Sequence, residues 1–522
     1  MDIFKNYPLP KLIDCLILYA NVHLCLPPED NVYYRNLLGG VLGVEPGYTD
    51  ANDDAGRTTD CVERLASPDA IVEPLIAACE STRKLEISDK ALACFILGVL
   101  MPQPSRITEY FNTIISDGGD VADALDWFYD LCIKSNYIPM REVSENIKWR
   151  FDSAKGPIDV TINVSKPEKN NADVAKALKA GAEGSYPKCA LCLDNCGFFG
   201  NAKTPPRQTL RTLPLVLNKE EWFFQYSPYN YFNEHCIAVS NVHRPMKTDI
   251  NTFVRLLDFV ALFPRYFMGS NADLPIVGGS IMTHDHYQGG RYDMPLFSAK
   301  PRMEFFGANG VVRLTVPDWG ATTLRVESRS YYDVLAACDT VLKGWRAYCN
   351  PALNIINSPG EPHNAVTAIA RRDGGNFVME MILRNNHTTE ERPGGFFHVD
   401  PKHHNIKKEG IGLIEAMGVF ILPGRLANEA RAIIPYLTGA AKFGAEAFKA
   451  ENPSFSYHAE MVAELSTQGR AKNDAEAGAR IEAYINTACE KILDDIGVFK
   501  QTPAGNIALI EFIVGMGFEV GK

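Results

Sequence analysis

The chain has 522 residues, 46% of them hydrophobic, and its 52 basic and 63 acidic side chains give a formal net charge of −11. A chain of this length can bury a large core, so we expect several domains or one body with lobes. The acidic balance argues against a broad surface for nucleic acid or for an anionic membrane. Any anionic ligand must therefore bind in a local pocket.

Cysteine usage predicts a reducing compartment. The 13 cysteines are odd in number and scattered from Cys15 to Cys489, which is not the pattern of a disulfide framework. The apolar segment 12–26 is interrupted by Asp14 and predicts a buried helix rather than a signal peptide. The later apolar segment 411–422 is too short to cross a bilayer. We therefore expect a cytoplasmic protein with no membrane segment.

Helix signals dominate residues 1–150, which we predict to be a helical N-terminal lobe. Ser67, Ser88 and Asp120 are suitable N-caps because their side-chain oxygens can accept hydrogen bonds from the first N–H groups of a helix. Each precedes a helical pattern, and the predicted helices span residues 70–83, 89–101 and 121–134.

The pattern changes to a strand at residues 158–164, where apolar and polar residues alternate strictly. We predict a first sheet half over residues 151–300. Its further elements are a short helix at 173–182, strands at 222–226 and 235–239, and a helix at 250–263.

A similar order of elements returns in residues 301–424, which we predict to be a second sheet half. Its elements are strands at 311–316 and 323–327, a helix at 332–348, and a hairpin of strands 365–371 and 377–383. Asp373-Gly374-Gly375 can form the hairpin turn because glycine readily adopts positive φ. Residues 425–522 are alanine-rich and predict C-terminal helices. The fold class is therefore α+β.

The densest cluster of reactive side chains lies in residues 271–290, NADLPIVGGSIMTHDHYQGG. Residues two apart in a strand share a face, so we expect His284, His286 and Gln288 to point into one pocket. A neutral imidazole can attack phosphorus, and a nearby amide can donate a hydrogen bond to the transferring phosphoryl oxygens. The pattern therefore predicts transfer of a phosphorus-containing group.

Two other readings of this histidine pair remain open: a metal-binding pair and a coincidence on the surface. The glycine pairs Gly278-Gly279 and Gly289-Gly290 flank the histidines and would let the backbone approach a phosphate closely. Together with Gln288, they favour catalysis over core packing.

The segment 271–290 resembles the active-site segment of class II (Firmicutes-type) galactose-1-phosphate uridylyltransferases, whose class I relatives carry His-Pro-His-Gly-Gln. The resemblance runs from about residue 110 to about residue 424. Other stretches that agree are NIKW at 146–149, TINVSKPEK at 161–169, LRNN at 383–386 and IKKEGIGLIEAMG at 406–418. Class I members are duplicated histidine-triad folds. The resemblance thus implies duplicated histidine-triad-like antiparallel sheet halves with helical N-terminal and C-terminal extensions.

The resemblance also implies catalytic roles. His286 matches the nucleophile that becomes uridylylated, Gln288 matches the residue that stabilises this intermediate, and His284 is the first histidine of the triplet. Asp285 stands where class I has proline. Its carboxylate could orient an imidazole or face away.

Substrate contacts are implied for a second set of residues. Asn271 and Ser280 lie in the stretch that resembles the nucleotide-contacting loop, as do Gly278 and Gly279. Phosphate contacts are implied for Lys148, Lys166 and Arg141, which stand in or near matched motifs. A sugar contact is implied for Glu415, since an acid within 411–422 needs a partner and can accept hydrogen bonds from hydroxyls. The other reading of Glu415 is an ion pair with Lys407 or Lys408.

Cys189 and Cys192 form a CxxC pair, and a structural zinc ion usually needs four ligands. The class I ligand set corresponds here to Cys189, Cys192, His243 and His284, with Cys196 as an alternative ligand. CxxC pairs also occur without metal. The resemblance therefore makes structural zinc a possible cofactor, and no organic cofactor is expected.

The implied activity is exchange of UMP between UDP-glucose and galactose 1-phosphate, giving UDP-galactose and glucose 1-phosphate in galactose metabolism (the Leloir pathway). The reaction would be ping-pong through a uridylyl-histidine. Class I relatives are dimers, so a homodimer is the oligomeric state to test, and neither nucleic acid nor membrane is an expected partner. Two alternatives are another histidine-triad-type nucleotidyltransferase or phosphorylase, and a non-catalytic zinc-containing nucleotide-binding protein.

Overall fold

The computed structural model describes residues 3–45, 55–164, 186–201, 204–279, 281–308 and 310–521. The helix predicted at 173–182 lies outside these ranges, as do Lys166 and Ser280. The chain divides into two compact units. Unit 1 comprises Met1–Val143, Ala182–Asn230 and Glu234–His243, and unit 2 comprises Ser144–Gly181, Tyr231–Asn233 and Arg244–Lys522.

Helices fill the first part of the chain, as predicted. They are α1 Leu9–His23, α2 Asn31–Leu42, α3 Ala55–Glu63, α4 Asp69–Cys79, α5 Asp89–Leu100, α6 Pro104–Ser116, α7 Val121–Lys134 and α8 Met140–Ser144. Ser88 caps α5 by accepting a hydrogen bond from the Ala91 N–H, and Asp120 forms a reciprocal capping box with Asp123 at α7. Helix α4 ends at Cys79, four residues before the predicted end at residue 83. In the segment that follows the helix, the Thr82 hydroxyl donates to the Leu42 carbonyl.

Helix α1 forms the centre of the helical part of unit 1. Its side chains Leu12, Ile13 and Leu16 are fully buried, and α2, α3 and α4 pack around it. The prediction of a buried helix at 12–26 is confirmed. Among the described residues, no single helix has the length and apolar character needed to cross a membrane, and α5 and α6 reach that threshold only as a pair bent by 54°.

The strands, in chain order, are β1 Ile147–Ser153, β2 Gly156–Asn163, β3 Leu213–Leu217, β4 Glu220–Tyr226, β5 Cys236–Ser240, β6 Phe267–Ser270, β7 His286–Gly290, β8 Pro301–Phe306, β9 Arg313–Pro317, β10 Thr323–Ser328, β11 Asn364–Asp373, β12 Asn376–Asn385, β13 Val419–Pro423 and β14 Glu519–Val520. In unit 1, β4 pairs antiparallel with both β3 and β5. In unit 2, β2 lies between β1 and a parallel β13. The larger sheet of unit 2 is antiparallel, in the order β14-β8-β9-β10-β12-β11-β6-β7.

The remaining α-helices are α9 Ile250–Leu262, α10 Tyr331–Ala347, α11 Leu413–Ala416, α12 Arg425–Thr438, α13 Ala445–Glu451, α14 Ala459–Ser466, α15 Asp474–Ile496 and α16 Pro503–Gly515. Short 3-10 helices occur at Ile3–Asn6, Pro28–Asp30, Leu193–Asn195, Pro295–Ser298, Pro351–Leu353, Pro401–His403 and Pro453–His458. The core of unit 2 joins the sheets to the C-terminal helices, since buried side chains of β2, β11, β13, α12 and α15 form one cluster.

The chain order of elements repeats. Three strands, a helix and two strands occur first as β3, β4, β5, α9, β6 and β7, and again as β8, β9, β10, α10, β11 and β12. The α+β class, the antiparallel pairing and the helices at both ends are as predicted.

The β11–β12 hairpin has the turn that the sequence predicts. Asp373 pairs with Asn376, so Gly374 and Gly375 form the loop, with φ values of +52° and +89°. Both values lie in the left-handed region that glycine enters without steric penalty. The turn fixes the register of β12.

One row of paired residues crosses four strands of the larger sheet. Gln288 of β7 pairs with Gly269 of β6, Gly269 pairs with Ile369 of β11, and Ile369 pairs with Glu380 of β12. Residues directly opposite each other in antiparallel strands lie on the same face of the sheet. The row therefore shows which side chains of β7 and of β12 lie on the same face of the sheet.

Candidate active site

His286 and Gln288 lie on one face of β7, two residues apart, as the sequence predicts. His286 is 5% exposed, and Gln288 is half-buried. His284 differs from the prediction, because it precedes the strand and does not continue the face that His286 and Gln288 share. Its carbonyl oxygen contacts the His286 ring.

The orientation of the His286 ring is fixed by its backbone neighbour. Nδ1 of His286 lies 2.8 Å from the carbonyl oxygen of His284. A carbonyl only accepts hydrogen bonds, so Nδ1 carries the proton and Nε2 carries the lone pair. Burial lowers the pKa of His286 to about 4, and the hydrogen bond to His284 opposes that shift. At neutral pH the ring is therefore a neutral imidazole with a defined tautomer, which is the form required of a nucleophile.

Asp285 faces two guanidinium groups. Its carboxylate accepts a hydrogen bond from Arg244 at 3.2 Å and lies 4.0 Å from Nη1 of Arg255, and its N–H donates to the Arg244 carbonyl. The carboxylate thus contacts arginine side chains where the chain enters β7, a role that differs from both readings left open by the sequence, namely orienting an imidazole or facing away.

Asn271 anchors the loop that follows β6. Its side-chain oxygen accepts a hydrogen bond of 2.8 Å from the Leu413 N–H, and its amide nitrogen lies beside Gly279. A side-chain carbon at Gly279 would lie 2.7 Å from this nitrogen, and one at Gly278 would lie 2.6 Å from the Ala272 carbonyl oxygen. The two glycines therefore let the loop fold back on Asn271.

The second glycine pair also has a packing role. A side-chain carbon at Gly289 would lie 2.1 Å from the carbonyl oxygen of Phe267 on the paired strand β6. Any larger residue would separate β6 from β7. Packing between β6 and β7 thus accounts for Gly289, which the sequence analysis had counted in favour of catalysis.

Within unit 1, Cys189, Cys192 and His243 offer ligand atoms that all lie within 4.8 Å of one another. The two thiol sulfurs are 3.6 Å apart, and the Cys192 sulfur lies 3.2 Å from Nδ1 of His243. A tetrahedron with bonds of about 2.0–2.3 Å has edges of roughly 3.3–3.8 Å, close to these separations. This Cys/His cluster could bind a metal ion. The Cys196 thiol instead donates to the Leu210 carbonyl at 3.2 Å.

Glu415 lies at the N-terminal turn of α11, where its carboxylate has two partners. One oxygen lies 2.7 Å from Nζ of Lys407, and the other accepts a hydrogen bond from the Gly412 N–H at 3.1 Å. Lys407 also donates to the Ile421 carbonyl at 3.1 Å. The ion pair with Lys407 is one of the two readings that the sequence left open.

The candidate phosphate contacts are placed differently from one another. Lys148 is exposed on β1, opposite Thr161 of β2. Arg141 forms ion pairs with Glu73 and Asp69. Lys166 and Ser280 lie outside the described residues, so their positions are not assigned.

Arg384 of β12 and His398 are buried polar residues that the sequence analysis did not select as site residues. Arg384 directly follows the apolar residues Met381, Ile382 and Leu383 and is 1% exposed. A permanently charged residue that continues a buried strand is the signal that could have identified it, since burial of a guanidinium requires a reason.

Comparison with known proteins agrees with the motifs. A profile described as "Galactose-1-phosphate uridyl transferase, N-terminal domain" matches residues 62–245. A galactose-1-phosphate uridylyltransferase of Caldanaerobacter subterraneus is 41% identical, covering 81% of this chain and 83% of the relative. One of Clostridium acetobutylicum is 37% identical, covering 96% and 98% respectively. The solved yeast Ap4A phosphorylase Apa2 is 11% identical, with a TM-score of 0.32, covering 64% of this chain and 90% of that chain. The family predicted from the motifs is therefore confirmed: this chain belongs to the galactose-1-phosphate uridylyltransferases.

Proposed function

We propose that the protein transfers a uridylyl group from UDP-glucose to galactose 1-phosphate through a covalent intermediate on His286. The observation that carries this proposal is the hydrogen bond between Nδ1 of His286 and the His284 carbonyl, which presents Nε2 as the nucleophile. Family membership supplies the substrates, and the buried neutral ring supplies the chemistry.

In the first step, Nε2 of His286 attacks the α-phosphorus of UDP-glucose. The bond from that phosphorus to the bridging oxygen breaks, and glucose 1-phosphate leaves with the electron pair. The ring now carries a positive charge, and the His284 carbonyl stabilises it through the Nδ1 proton, which is not transferred. The side-chain amide of Gln288, on the same face, donates to a non-bridging oxygen of the uridylyl group.

In the second step, a phosphate oxygen of galactose 1-phosphate attacks the same phosphorus. The phosphorus–nitrogen bond breaks and its electrons return to Nε2, which restores the neutral imidazole and releases UDP-galactose. Neither step requires a general acid because a phosphate is a good leaving group. Positioning and charge stabilisation therefore dominate catalysis.

We assign nucleotide and phosphate contacts to the loop after β6. Asn271 orders this loop through Leu413, and Gly278 and Gly279 bring its backbone close to Asn271. Ser280, Lys148 and Lys166 are proposed as further phosphate or nucleotide contacts on the motif resemblance alone. A sugar contact by Glu415 rests on the same resemblance and would have to use the lone pairs that Lys407 and Gly412 leave over.

We propose zinc as the metal at Cys189, Cys192, His243 and His284. Two thiolates and two imidazoles are a donor set that suits zinc, and four protein ligands leave no open position for substrate. When bound, the ion would supply structural stabilisation. His284 would then hold the chain just before His286, so the cluster would position the nucleophile without taking part in the reaction.

The experiment is to mix the purified protein with UDP-glucose alone and record its intact mass. We expect one uridylyl adduct that is acid-labile and alkali-stable, as a phosphoramidate should be, and peptide mapping should place it on His286. Label should also exchange between UDP-glucose and glucose 1-phosphate without an acceptor. An adduct on another residue, or no exchange, would refute the proposal. Light scattering on the same sample tests the expected homodimer.

A further inference from the structure

Two buried side chains of unit 2 carry polar atoms without hydrogen-bond partners among the described residues. Arg384 is 1% exposed, and its Nε, Nη1 and Nη2 atoms have no acceptor. His398 is 7% exposed, and neither ring nitrogen forms a hydrogen bond of normal geometry with a described residue. Buried polar groups are nearly always paired, because an unpaired group loses its hydration without compensation. The two side chains therefore call for an acceptor that the described residues do not supply.

The two groups act on each other electrostatically. Burial and, to a smaller extent, the positive charge of Arg384 lower the pKa of His398 to about 4, and the Val399 backbone opposes this shift. Burial also lowers the pKa of Arg384, to about 10, and the Glu415 carboxylate opposes this shift. Glu415 is hydrogen-bonded to Lys407 and Gly412 and forms no hydrogen bond with the Arg384 guanidinium. The Arg384 guanidinium thus combines a positive charge with N–H groups that have no acceptor in the described part of the chain, and it interacts with the His398 ring.

Arg384 lies on the same face of the sheet as the proposed nucleophile. Gln288 is related to Glu380 by the row of paired residues across β7, β6, β11 and β12. Residues two apart in a strand share a face, so His286 lies with Gln288, and Arg384 lies with Glu380. Across three strand spacings of about 4.8 Å, β7 and β12 are roughly 14 Å apart.

The end of β12 also contacts the loop after β6. The Asn386 side chain donates to the Pro275 carbonyl at 3.2 Å. On the other side of that loop, Asn271 binds the N–H of Leu413, which is two residues from Glu415. Arg384 therefore lies next to the segments that surround Gly278 and Gly279.

We propose that Arg384 and His398 form an anion site for the phosphate of the hexose 1-phosphate, the phosphate group that is not transferred. This inference rests on the proposed function for its choice of ligand. The guanidinium fork can bind two oxygens of one phosphate, and a neutral His398 can donate one further hydrogen bond. The same site would hold the departing glucose 1-phosphate and the incoming galactose 1-phosphate. UMP lacks this phosphate and does not use the site.

The test compares calorimetric affinities for galactose 1-phosphate and UMP in Arg384→Lys, Arg384→Gln and His398→Gln. Lysine keeps the charge but loses the fork. We expect both Arg384 variants to bind galactose 1-phosphate about 10- to 100-fold more weakly, because charge-assisted hydrogen bonds are lost. His398→Gln should weaken it less, and UMP affinity should change by less than about twofold in all three.

Arg372→Gln is the matched control, since Arg372 lies on the neighbouring strand β11 and donates to the Gly375 carbonyl in the hairpin turn. It loses the same charge and should bind both ligands normally. Unchanged galactose 1-phosphate affinity in Arg384→Lys or, if the Arg384 variants do not fold, in His398→Gln would overturn the anion site. Equal weakening of UMP would also overturn it. These affinities are measured without turnover, so a missing adduct on His286 would refute only the proposed function.

Discussion

Glu415 and Lys407 form an ion pair in which Oε1 lies 2.7 Å from Nζ, and both side chains are nearly buried, with exposures of 12% and 8%. Burial acts to lower the pKa of Lys407, but Glu415 and Glu409 outweigh it, and the pKa is raised. Glu415 thereby keeps a buried ammonium charged.

Replacement of Glu415 by Gln should destabilise the fold. The variant removes one partner of a buried pair and leaves Lys407 charged without its nearest carboxylate, a change that costs about 3 kcal/mol or more. Urea unfolding should show this loss. The sugar contact proposed for Glu415 further predicts that kcat/KM for galactose 1-phosphate falls by about tenfold or more in the folded variant. An unchanged kcat/KM would leave the ion pair with Lys407 as the role of Glu415 and would refute the sugar contact.

Replacement of His286 by Asn should separate binding from chemistry. The amide keeps a polar side chain on β7 but cannot form the phosphoramidate, so turnover should fall by roughly a thousandfold or more. UDP-glucose affinity, measured by calorimetry, should stay within about threefold of the wild type. Substantial residual turnover would point to direct transfer, and the initial-rate pattern would then lose its ping-pong form.

The Cys/His cluster predicts a different behaviour for two neighbouring cysteines. Cys192→Ser should lose the bound metal and lower the folded yield more than it lowers the turnover of the surviving protein, because Cys192 contributes a ligand atom to the cluster. Cys196→Ser is the control, since the Cys196 thiol donates to the Leu210 carbonyl, and it should retain metal. Elemental analysis of fresh protein decides the matter: absence of metal in the wild type would contradict the zinc proposal.

His398 predicts part of the dependence of stability on pH. Its pKa is lowered to about 4 in the folded protein, from about 6.5 in an unfolded chain. Between these values the unfolded state binds the proton and the folded state does not, so stability falls as the pH falls. The contribution lost between pH 6.5 and pH 4 is roughly 3 kcal/mol.

Urea unfolding in buffers without phosphate should therefore show a shallower decline for His398→Gln than for the wild type over this range. His404→Gln serves as a control, because His404 interacts electrostatically with His398 and its Nε2–H donates to the Val399 carbonyl at 3.2 Å. Parallel curves for wild type and His398→Gln would show that the ring titrates normally in the folded protein.

Local signals in the sequence predicted much of the fold. Asp120 and Ser88 fixed the starts of two helices, and Gly374-Gly375 fixed the β11–β12 turn, because caps and tight turns depend on a few adjacent residues. Strand β1 was missed. Its residues from Ile147 to Ser153 are mostly exposed or half-buried, and this short strand depends on β2 for its hydrogen bonds.

The candidate site was predictable where it depends on chain periodicity and not where it depends on long-range contacts. The two-residue spacing of His286 and Gln288 follows from strand geometry. The separation of His284 from that face does not, because β7 begins only at His286. The lack of a hydrogen-bond acceptor for Arg384 could not be predicted for the same reason, because it depends on which residues surround the end of β12.

The register between β6 and β7 limits how this chain can tolerate insertions. Gln288 opposes Gly269, and the Phe267 carbonyl occupies the space that a side chain at position 289 would need. A single residue inserted between Gly290 and His286 would turn the imidazole toward the opposite surface and would place a side chain against β6. A dipeptide inserted at the same point would restore the parity of the strand. Natural length variation in this segment should therefore be confined to the loop between Asn271 and His284.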